Sequence, residues 1–291
     1  MIAVMYHTLA GLWIEHLRKG LIEDGQPWDW TTLGILSSQG TQLEAYVLAK
    51  SDGTWAAETL THCLSDVFPG VEAQSLVQDS EKFKKGDKVV RLRGAMSSLL
   101  ALERPFLNLA AYVSGIATTT QQIVEQVKQY CPSQTPRVSL TRKTLPGYRD
   151  LSIHGVRTGG GYPHRVSLSG GILIKENHIE AAGGIEKAVA AARSVAPHGL
   201  KIEVEVRNFP ELSQALGTQV DGVLLDNFSP QQVRDALGFI RARVQIPWVE
   251  VSGGLSLKTI AQYAIPGVDV LSVGALTHSV QCVDLSFLIG E

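Results

Sequence analysis

The chain has 291 residues, 44% of them hydrophobic, enough for one large α/β domain or two smaller ones around a real core. A formal net charge of −2 excludes the basic excess that general nucleic-acid or membrane-surface binding needs. The cysteines Cys63, Cys131 and Cys282 are odd in number and far apart, without a Cys-x-x-Cys pair, so neither a disulfide framework nor a zinc site is indicated and reduced thiols are expected.

Residues Met1 to Ile14 are partly apolar but lack a basic leader and soon meet Glu15, His16, Arg18 and Lys19, which reads as an amphipathic helix rather than a signal peptide. No run approaches a membrane-spanning length, and a soluble, cytoplasmic protein is expected. Leu9, Leu12, Trp13, Leu17 and Leu21 recur at helical spacing, Glu23-Asp24-Gly25 ends the helix, and Trp28 to Thr32 make a polar turn. Leu43–Ala49 and Lys88–Leu92 read as strands, with a helix over Ala56–Val67 between them and a turn at Lys84-Lys85-Gly86-Asp87. Strands and helices mix here without a regular βαβ alternation, which predicts a separate α+β domain of roughly a hundred residues. Ala95 to Tyr130 is a long helical stretch, with a break expected at Ser114-Gly115. Arg104 follows Glu103 within it, a pair that also reads as an ordinary solvated ion pair.

After Pro136 the texture changes. Short β-rich runs, Val138–Leu140, Ile172–Ile174, Ile202–Val206, Gly222–Leu225, Trp248–Val251 and Val270–Val273, alternate with helical segments at Ile185–Val195, Phe209–Leu216, Pro230–Arg241 and Ser256–Tyr263. That alternation belongs to a parallel α/β fold. Arg142, Lys175, Glu205, Asp226 and Ser252 stand at or just past the C-terminal ends of these runs. Five strand ends, each with a polar group, favour a (β/α) barrel over an open doubly wound sheet with one glycine-rich turn. Six or seven strands are expected.

The chemistry starts from Thr141-Arg142-Lys143-Thr144-Leu145-Pro146-Gly147-Tyr148-Arg149, where three cations and a Pro-Gly turn follow an apolar run. Arg142 and Arg165 can each grip a carboxylate or phosphate as a fork, while Lys143 and Lys175 act as point charges. Their convergence on one barrel mouth predicts a site for a very anionic ligand. Arg149, beyond the turn, reads as structural. Glu203-Val204-Glu205 sends both carboxylates to one strand face. Glu205 and Asp226 either neutralise the cations or hold sugar hydroxyls, Mg²⁺ or a developing positive charge. Ser252-Gly253-Gly254 and Ser272-Val273-Gly274 follow the last two strands, a common phosphate position in barrels, although any tight turn also uses glycine. His164, after Gly159-Gly160-Gly161, reads as a ligand contact, an acid/base group or a satisfied core histidine.

Together these stretches resemble the quinolinate phosphoribosyltransferase family, also called carboxylating nicotinate-nucleotide pyrophosphorylases. The matching residues are Thr141-Arg142-Lys143-Thr144 with Pro146-Gly147 and Arg149; Gly159-Gly160-Gly161 with His164-Arg165; Leu173-Ile174-Lys175 with Asn177-His178; Glu203-Val204-Glu205; Leu225-Asp226-Asn227; and Ser252-Gly253-Gly254. Glu103-Arg104 with Leu107-Asn108 and Ser114 to Thr118 resembles the family's central helix, and Glu23-Asp24 with Asp29 and Thr31-Thr32 its N-terminal pattern.

The resemblance implies an α/β fold: an incomplete (β/α) barrel preceded by an α+β sandwich domain. The expected division is 1–118 for the sandwich and connecting helix, capping a neighbouring active site, 119–274 for the catalytic barrel, and 275–291 for a C-terminal segment packing back on the first domain. It implies a homodimer or a hexamer (trimer of dimers) with shared active sites. The reaction would take quinolinate and phosphoribosyl pyrophosphate, with Mg²⁺, to nicotinate mononucleotide, pyrophosphate and CO₂ in NAD biosynthesis, which makes the enzyme a pentosyltransferase. By resemblance Arg142, His164 and Arg165 bind the acid's carboxylates, with Arg104 supplied across the dimer. Lys143, Lys175, Glu205 and Asp226 are the catalytic set facing the donor, Glu205 and Asp226 its metal ligands, and Ser252, Gly253, Gly254, Ser272 and Gly274 its 5′-phosphate loops. The chain departs from the family pattern at Leu145, Pro163, Ser167, Gly170 and Glu176. Competing readings are a transferase for another pyridine or aromatic carboxylate, a non-catalytic binding paralogue, and a sugar-phosphate aldolase or isomerase.

Overall fold

The computed structural model describes residues 2–35 and 42–290, with side chains from residue 9 onward. In chain order the first elements are α1 (Ile2–Glu23), α2 (Trp30–Ile35), β1 (Gln42–Ala49), β2 (Gly53–Thr54), α3 (Glu58–His62) and α4 (Leu64–Val67). They are followed by β3 (Glu72–Ser75), β4 (Lys82–Phe83), β5 (Lys88–Ala95) and α5 (Met96–Tyr130). Next come β6 (Arg137–Ser139), α6 (Arg149–Thr158), β7 (Ile172–Ile174), α7 (Glu176–Ala182), α8 (Ile185–Val195), β8 (Ile202–Val206) and α9 (Phe209–Gly217). The chain closes with β9 (Gly222–Asp226), α10 (Pro230–Arg241), β10 (Trp248–Ser252), β11 (Val270–Ser272), α11 (Ala275–His278) and β12 (Leu285–Ile289). Two compact units result: 1–119 with 150–160 and 280–291, and 120–149 with 161–279.

The first unit is built on an antiparallel sheet in the order β12-β1-β5-β3. β1 alternates buried and half-buried positions, with Ala45, Val47 and Ala49 in the core, the period-2 pattern of a strand with one covered face. α1 ends at Glu23 as its sequence predicts, and Gly25 takes the left-handed conformation (φ 72°) beyond it. The polar turn expected at Trp28–Thr32 instead runs into α2, begun by Asp29, whose carboxylate accepts the Thr32 N–H at 3.1 Å. The helix expected over Ala56–Val67 is two short helices, α3 and α4, meeting at Cys63.

α5 corrects a second expectation, because it runs unbroken through Ser114-Gly115. Gly115 serves close packing there rather than a break. A Cβ at this position would lie 2.3 Å from the Gln281 carbonyl oxygen and 2.9 Å from the Cys282 Cα. A glycine costs a helix about 1 kcal/mol relative to alanine, which packing readily offsets.

The second unit carries six parallel strands in the order β6-β11-β10-β9-β8-β7. Among the described residues β6 and β7 do not pair, so the barrel is incomplete. β8, β9 and β10 are buried along nearly their whole length, as strands covered on both faces must be. α9 and α10 each start on a side-chain cap, with Asn208 accepting from the Glu211 N–H and Ser229 from the Gln232 N–H, and each has proline in its first turn. The helix expected over Ser256–Tyr263 contracts to a 3₁₀ turn at Ile260–Tyr263. Among the described residues no helix is long and apolar enough to cross a membrane.

Candidate active site

Parallel register stacks the strands' inward residues in levels. Glu203 of β8 and Trp248 of β10 both lie beside Gly222 of β9. One step towards the C-terminal ends, Glu205 and Glu250 flank Leu224, and beyond that Asp226, Ser252 and Ser272 align. The lowest level fits only because residue 222 has no side chain: a Cβ there would sit 2.1 Å from the Trp248 indole. The indole N–H donates to Glu203 Oε1 at 3.0 Å.

A cavity of about 510 Å³ opens above these levels, the size of a small-molecule site. Arg142, Lys143, His164, Arg165, Lys175, Glu205, Asp226, Ser252, Gly253 and Gly254 all line it, so the five strand ends singled out from sequence do converge. Ser272 and Gly274 do not line it, and neither does Arg104, which stands in the first unit 3.8 Å from Glu103. Leu173 and Leu224 add an apolar portion suited to a flat ring.

At the mouth Lys175 Nζ pairs with Glu205 at 3.2 Å, both side chains still reached by solvent. The Lys175 amide donates to His178 Nδ1 at 2.9 Å, which fixes the chain as it leaves β7 for α7. Asn227, in a left-handed conformation (φ 57°), donates from its side chain to Asp226 at 2.8 Å and from its amide to the Ser252 carbonyl at 2.9 Å. Gly253 (φ 98°) passes so close that a Cβ would lie 2.2 Å from the Asn227 side-chain oxygen. The ends of β9 and β10 are therefore locked together. Arg149 holds the loop above, donating to Thr144 Oγ1 at 3.2 Å and the Val166 carbonyl at 3.1 Å, which is the structural role expected of it.

Below the mouth the electrostatics change. Arg165 Nη1 donates to the Gly171 carbonyl at 2.9 Å, and burial, then the neighbouring Arg142 charge, hold its pKa below the usual arginine range. Arg142 Nε is buried without a hydrogen-bond partner, an orphaned donor beside an anion-sized space. Glu203 and Glu250 are 5% and 3% exposed, and His164 Nε2 stands 3.2 Å from Glu250 and 3.9 Å from Glu203. Burial, then the Glu250 charge, push the Glu203 carboxyl up to about 8. Burial pulls His164 down, but the Glu250 hydrogen bond and the charges of both glutamates outweigh it and set the imidazole above its ordinary value.

Glu250 escaped the sequence reading. Its signal was present in Trp248-Val249-Glu250-Val251-Ser252, a lone carboxylate in an apolar strand, on the same face as Ser252. His164, Glu203 and Glu250 bring their ligand atoms within 4.8 Å of one another, close enough for a cation, although Arg142 and Arg165 charge the neighbourhood positively.

A parallel barrel with a mouth lined by arginines, lysines and carboxylates fits the class of enzymes for phosphorylated, acidic substrates. The chain belongs to the quinolinate phosphoribosyl transferase family, whose N-terminal domain matches residues 29–114 and C-terminal domain residues 116–288. It is 41% identical over 277 residues to a probable nicotinate-nucleotide pyrophosphorylase (carboxylating) of Methanocaldococcus jannaschii, covering 94% of this chain and 95% of that one. The Homo sapiens nicotinate-nucleotide pyrophosphorylase (carboxylating) is 36% identical over 245 residues, 84% of this chain and 81% of its own. The solved nicotinate-nucleotide pyrophosphorylase of Francisella tularensis superposes with a TM-score of 0.86 at 33% identity, covering 96% of each chain.

Proposed function

We propose that the protein transfers the phosphoribosyl group of phosphoribosyl pyrophosphate to the ring nitrogen of quinolinate, with loss of CO₂, giving nicotinate mononucleotide for NAD biosynthesis. The observation that carries this reading is the meeting of Arg142, Lys143, Arg165 and Lys175 with Glu205 and Asp226 around one cavity. A diacid plus a phosphorylated diphosphate ester is a dense anion load, and forks and point charges of this kind match it. A plain sugar phosphate needs fewer. The family departures at Leu145, Pro163, Ser167, Gly170 and Glu176 all lie off the cavity lining, and Glu176 is engaged by Arg207 at 2.6 Å.

In this reading Arg142 and Arg165 orient the diacid so that its ring nitrogen faces C1′ of the donor. The nitrogen lone pair forms the new C–N bond as the C1′–O bond breaks and pyrophosphate leaves with its electrons. Glu205 and Asp226 face the oxocarbenium-like ribose and lower its energy, and Lys143 and Lys175 stabilise the departing diphosphate. The glycosylated nitrogen is cationic. When the C2–carboxylate bond breaks, the electron pair stays on C2 beside that charge, CO₂ departs and C2 takes up a proton. The residues' task is to position the reactants and exclude water.

The oxygen donors Glu205 and Asp226, at adjacent strand ends in the cavity, suit Mg²⁺, which is commonly bound by one or two carboxylates plus substrate phosphates. When bound, Mg²⁺ would neutralise diphosphate charge. A dimer in which Arg104 completes the neighbour's acid site accounts for that cation standing off the lining. Free cysteines fit a reducing cytoplasm.

Purified protein with phosphoribosyl pyrophosphate, Mg²⁺ and quinolinate is expected to yield nicotinate mononucleotide and CO₂. Turnover of another pyridine carboxylate and none of quinolinate would replace the acceptor. Pyrophosphate release without any acceptor would undo the two-substrate site.

A further inference from the structure

In the reaction above Lys143 stabilises the departing diphosphate, yet no regular element carries it. Between β6, ending at Ser139, and α6, starting at Arg149, the chain forms neither helix nor strand, and Lys143 is exposed. A long side chain on such a segment has many positions open to it, whereas catalysis needs its ammonium in one. Two hydroxyls hold its backbone instead. The Lys143 N–H donates to Thr141 Oγ1 at 3.2 Å, and the Lys143 carbonyl accepts from Thr277 Oγ1 at 2.9 Å.

Thr277 lies 134 residues further along the chain, and the sheet brings it back. β11 runs parallel to β6 with Leu271 beside Val138 and Ser272 beside Ser139, and the Val273 N–H continues the ladder to the Ser139 carbonyl at 2.8 Å. The turn into α11 therefore stands next to the segment that leaves β6. Thr277 is 3% exposed, so its hydroxyl must find a partner inside the protein. It has one proton to give. The Gly274 carbonyl is within reach at 3.3 Å but already accepts the N–H groups of Thr277 and His278 at 3.0 and 3.1 Å. The proton goes to the Lys143 carbonyl. The same turn also meets the stem of the lysine, because a Cβ at Gly274 would lie 3.5 Å from Lys143 Cδ, an ordinary packing contact.

We propose that Thr277 is a positioning residue for Lys143. Its hydroxyl fixes the peptide from which the lysine starts, and the turn after β11 guides the stem, so the ammonium is delivered into the cavity that Lys143 lines. This gives the β11 turn a part in the reaction although Ser272 and Gly274 stand off the cavity lining. Thr277 acts through Lys143 and touches no substrate. The inference rests on the phosphoribosyl-transfer reading of the site, and its tests separate the two.

Thr277→Val keeps the shape of the side chain and removes the hydroxyl. Its kcat with quinolinate and phosphoribosyl pyrophosphate should fall by about tenfold or more, while the KM for quinolinate changes less than about twofold. Thr277→Ser, which keeps the donor, should stay within about threefold of the parent kcat. Added to Lys143→Ala, Thr277→Val should cost less than about a further twofold, since the group it positions is gone. A Ser variant as slow as Val, a quinolinate KM that rises as much as kcat falls, or a full tenfold loss on top of Lys143→Ala overturns the proposal. A parent that does not turn over quinolinate sinks the reaction reading instead. Crystal structures of parent and Thr277→Val in one crystal form then decide the role of Thr277. Residues 142–144 should shift by about 1 Å or more while β6 and β11 superpose, and an unmoved Lys143 backbone overturns the proposal. Should the Val variant not fold, Thr277→Ala takes its place with the same expectations.

Discussion

The mouth of the barrel and the floor beneath it draw on the same strands but handle charge in opposite ways. At the mouth Lys175 and Glu205 pair at 3.2 Å with 47% and 14% of their side chains exposed, so water and a ligand can both take over their partners. At the floor Glu203 and Glu250 are nearly sealed, and their charge is managed by a proton, an imidazole and an indole N–H. Solvated charges are cheap to keep apart and free to act on a substrate, whereas buried ones must be satisfied before a ligand arrives. The mouth is built for chemistry and the floor for geometry.

The comparison is tested hardest at Lys175. Lys175→Ala removes a cation of the cavity lining that is proposed to face the donor, and turnover should fall by about 10² to 10³-fold, measured as nicotinate mononucleotide formed at saturating substrates. A loss under about tenfold would reduce Lys175 to a counter-ion for Glu205, and the mouth would then resemble the floor.

Arg104 is the next test, because the proposed acid site takes this cation from a neighbouring subunit. Arg104→Ala and Lys175→Ala proteins should each be inactive alone. Mixed in equal amounts and reassociated, they should recover about a quarter of the parent activity, since half the dimers are mixed and each of these has one intact site of two. No recovery in verified mixed dimers would place Arg104 outside the neighbour's site. A smaller effect is expected at Asp226. Asp226→Asn should raise the Mg²⁺ concentration for half-maximal activity by about tenfold, read from a metal titration of initial rates.

The two regions also differed in how far the sequence disclosed them. Arg142, Lys175, Glu205, Asp226 and Ser252 were legible because a polar residue closing an apolar run has few uses in a parallel strand other than a barrel mouth. Glu250 was hidden by the same rule, since it sits inside its run, and only the register that sets it beside Leu224 reveals which way it faces. Gly222 gave no signal either, because the indole that needs its missing side chain comes from a strand 26 residues later, from 222 to 248. Along the chain, long periodic elements such as α10 fell where expected, while Gly115 misled because a helical glycine marks close packing as readily as a break. Local pattern reports what faces solvent or core; it does not report what approaches from another strand.

The floor itself yields the smallest expected effect and the one with a sign fixed by linkage. Glu203 has its carboxyl raised from 4.5 to about 8 by burial and by Glu250. Between those values the folded protein holds a proton that the unfolded chain has released, so stability must fall as pH rises from about 5 through about 8. His164, also raised, acts in the same direction, because the stability it adds is lost as pH climbs through its folded value. Glu203→Gln keeps an oxygen for the Trp248 N–H and removes the titration. Its Tm should therefore change less between pH 6 and pH 9 than that of the parent, and by pH 9 it should be the more stable of the two by a few degrees, on the order of 1 kcal/mol. Thermal melts in matched buffers across that range measure the difference directly. A variant whose Tm tracks the parent at every pH would mean that Glu203 ionises as easily as a carboxylate at the mouth, and the distinction between the two regions would then rest on geometry alone.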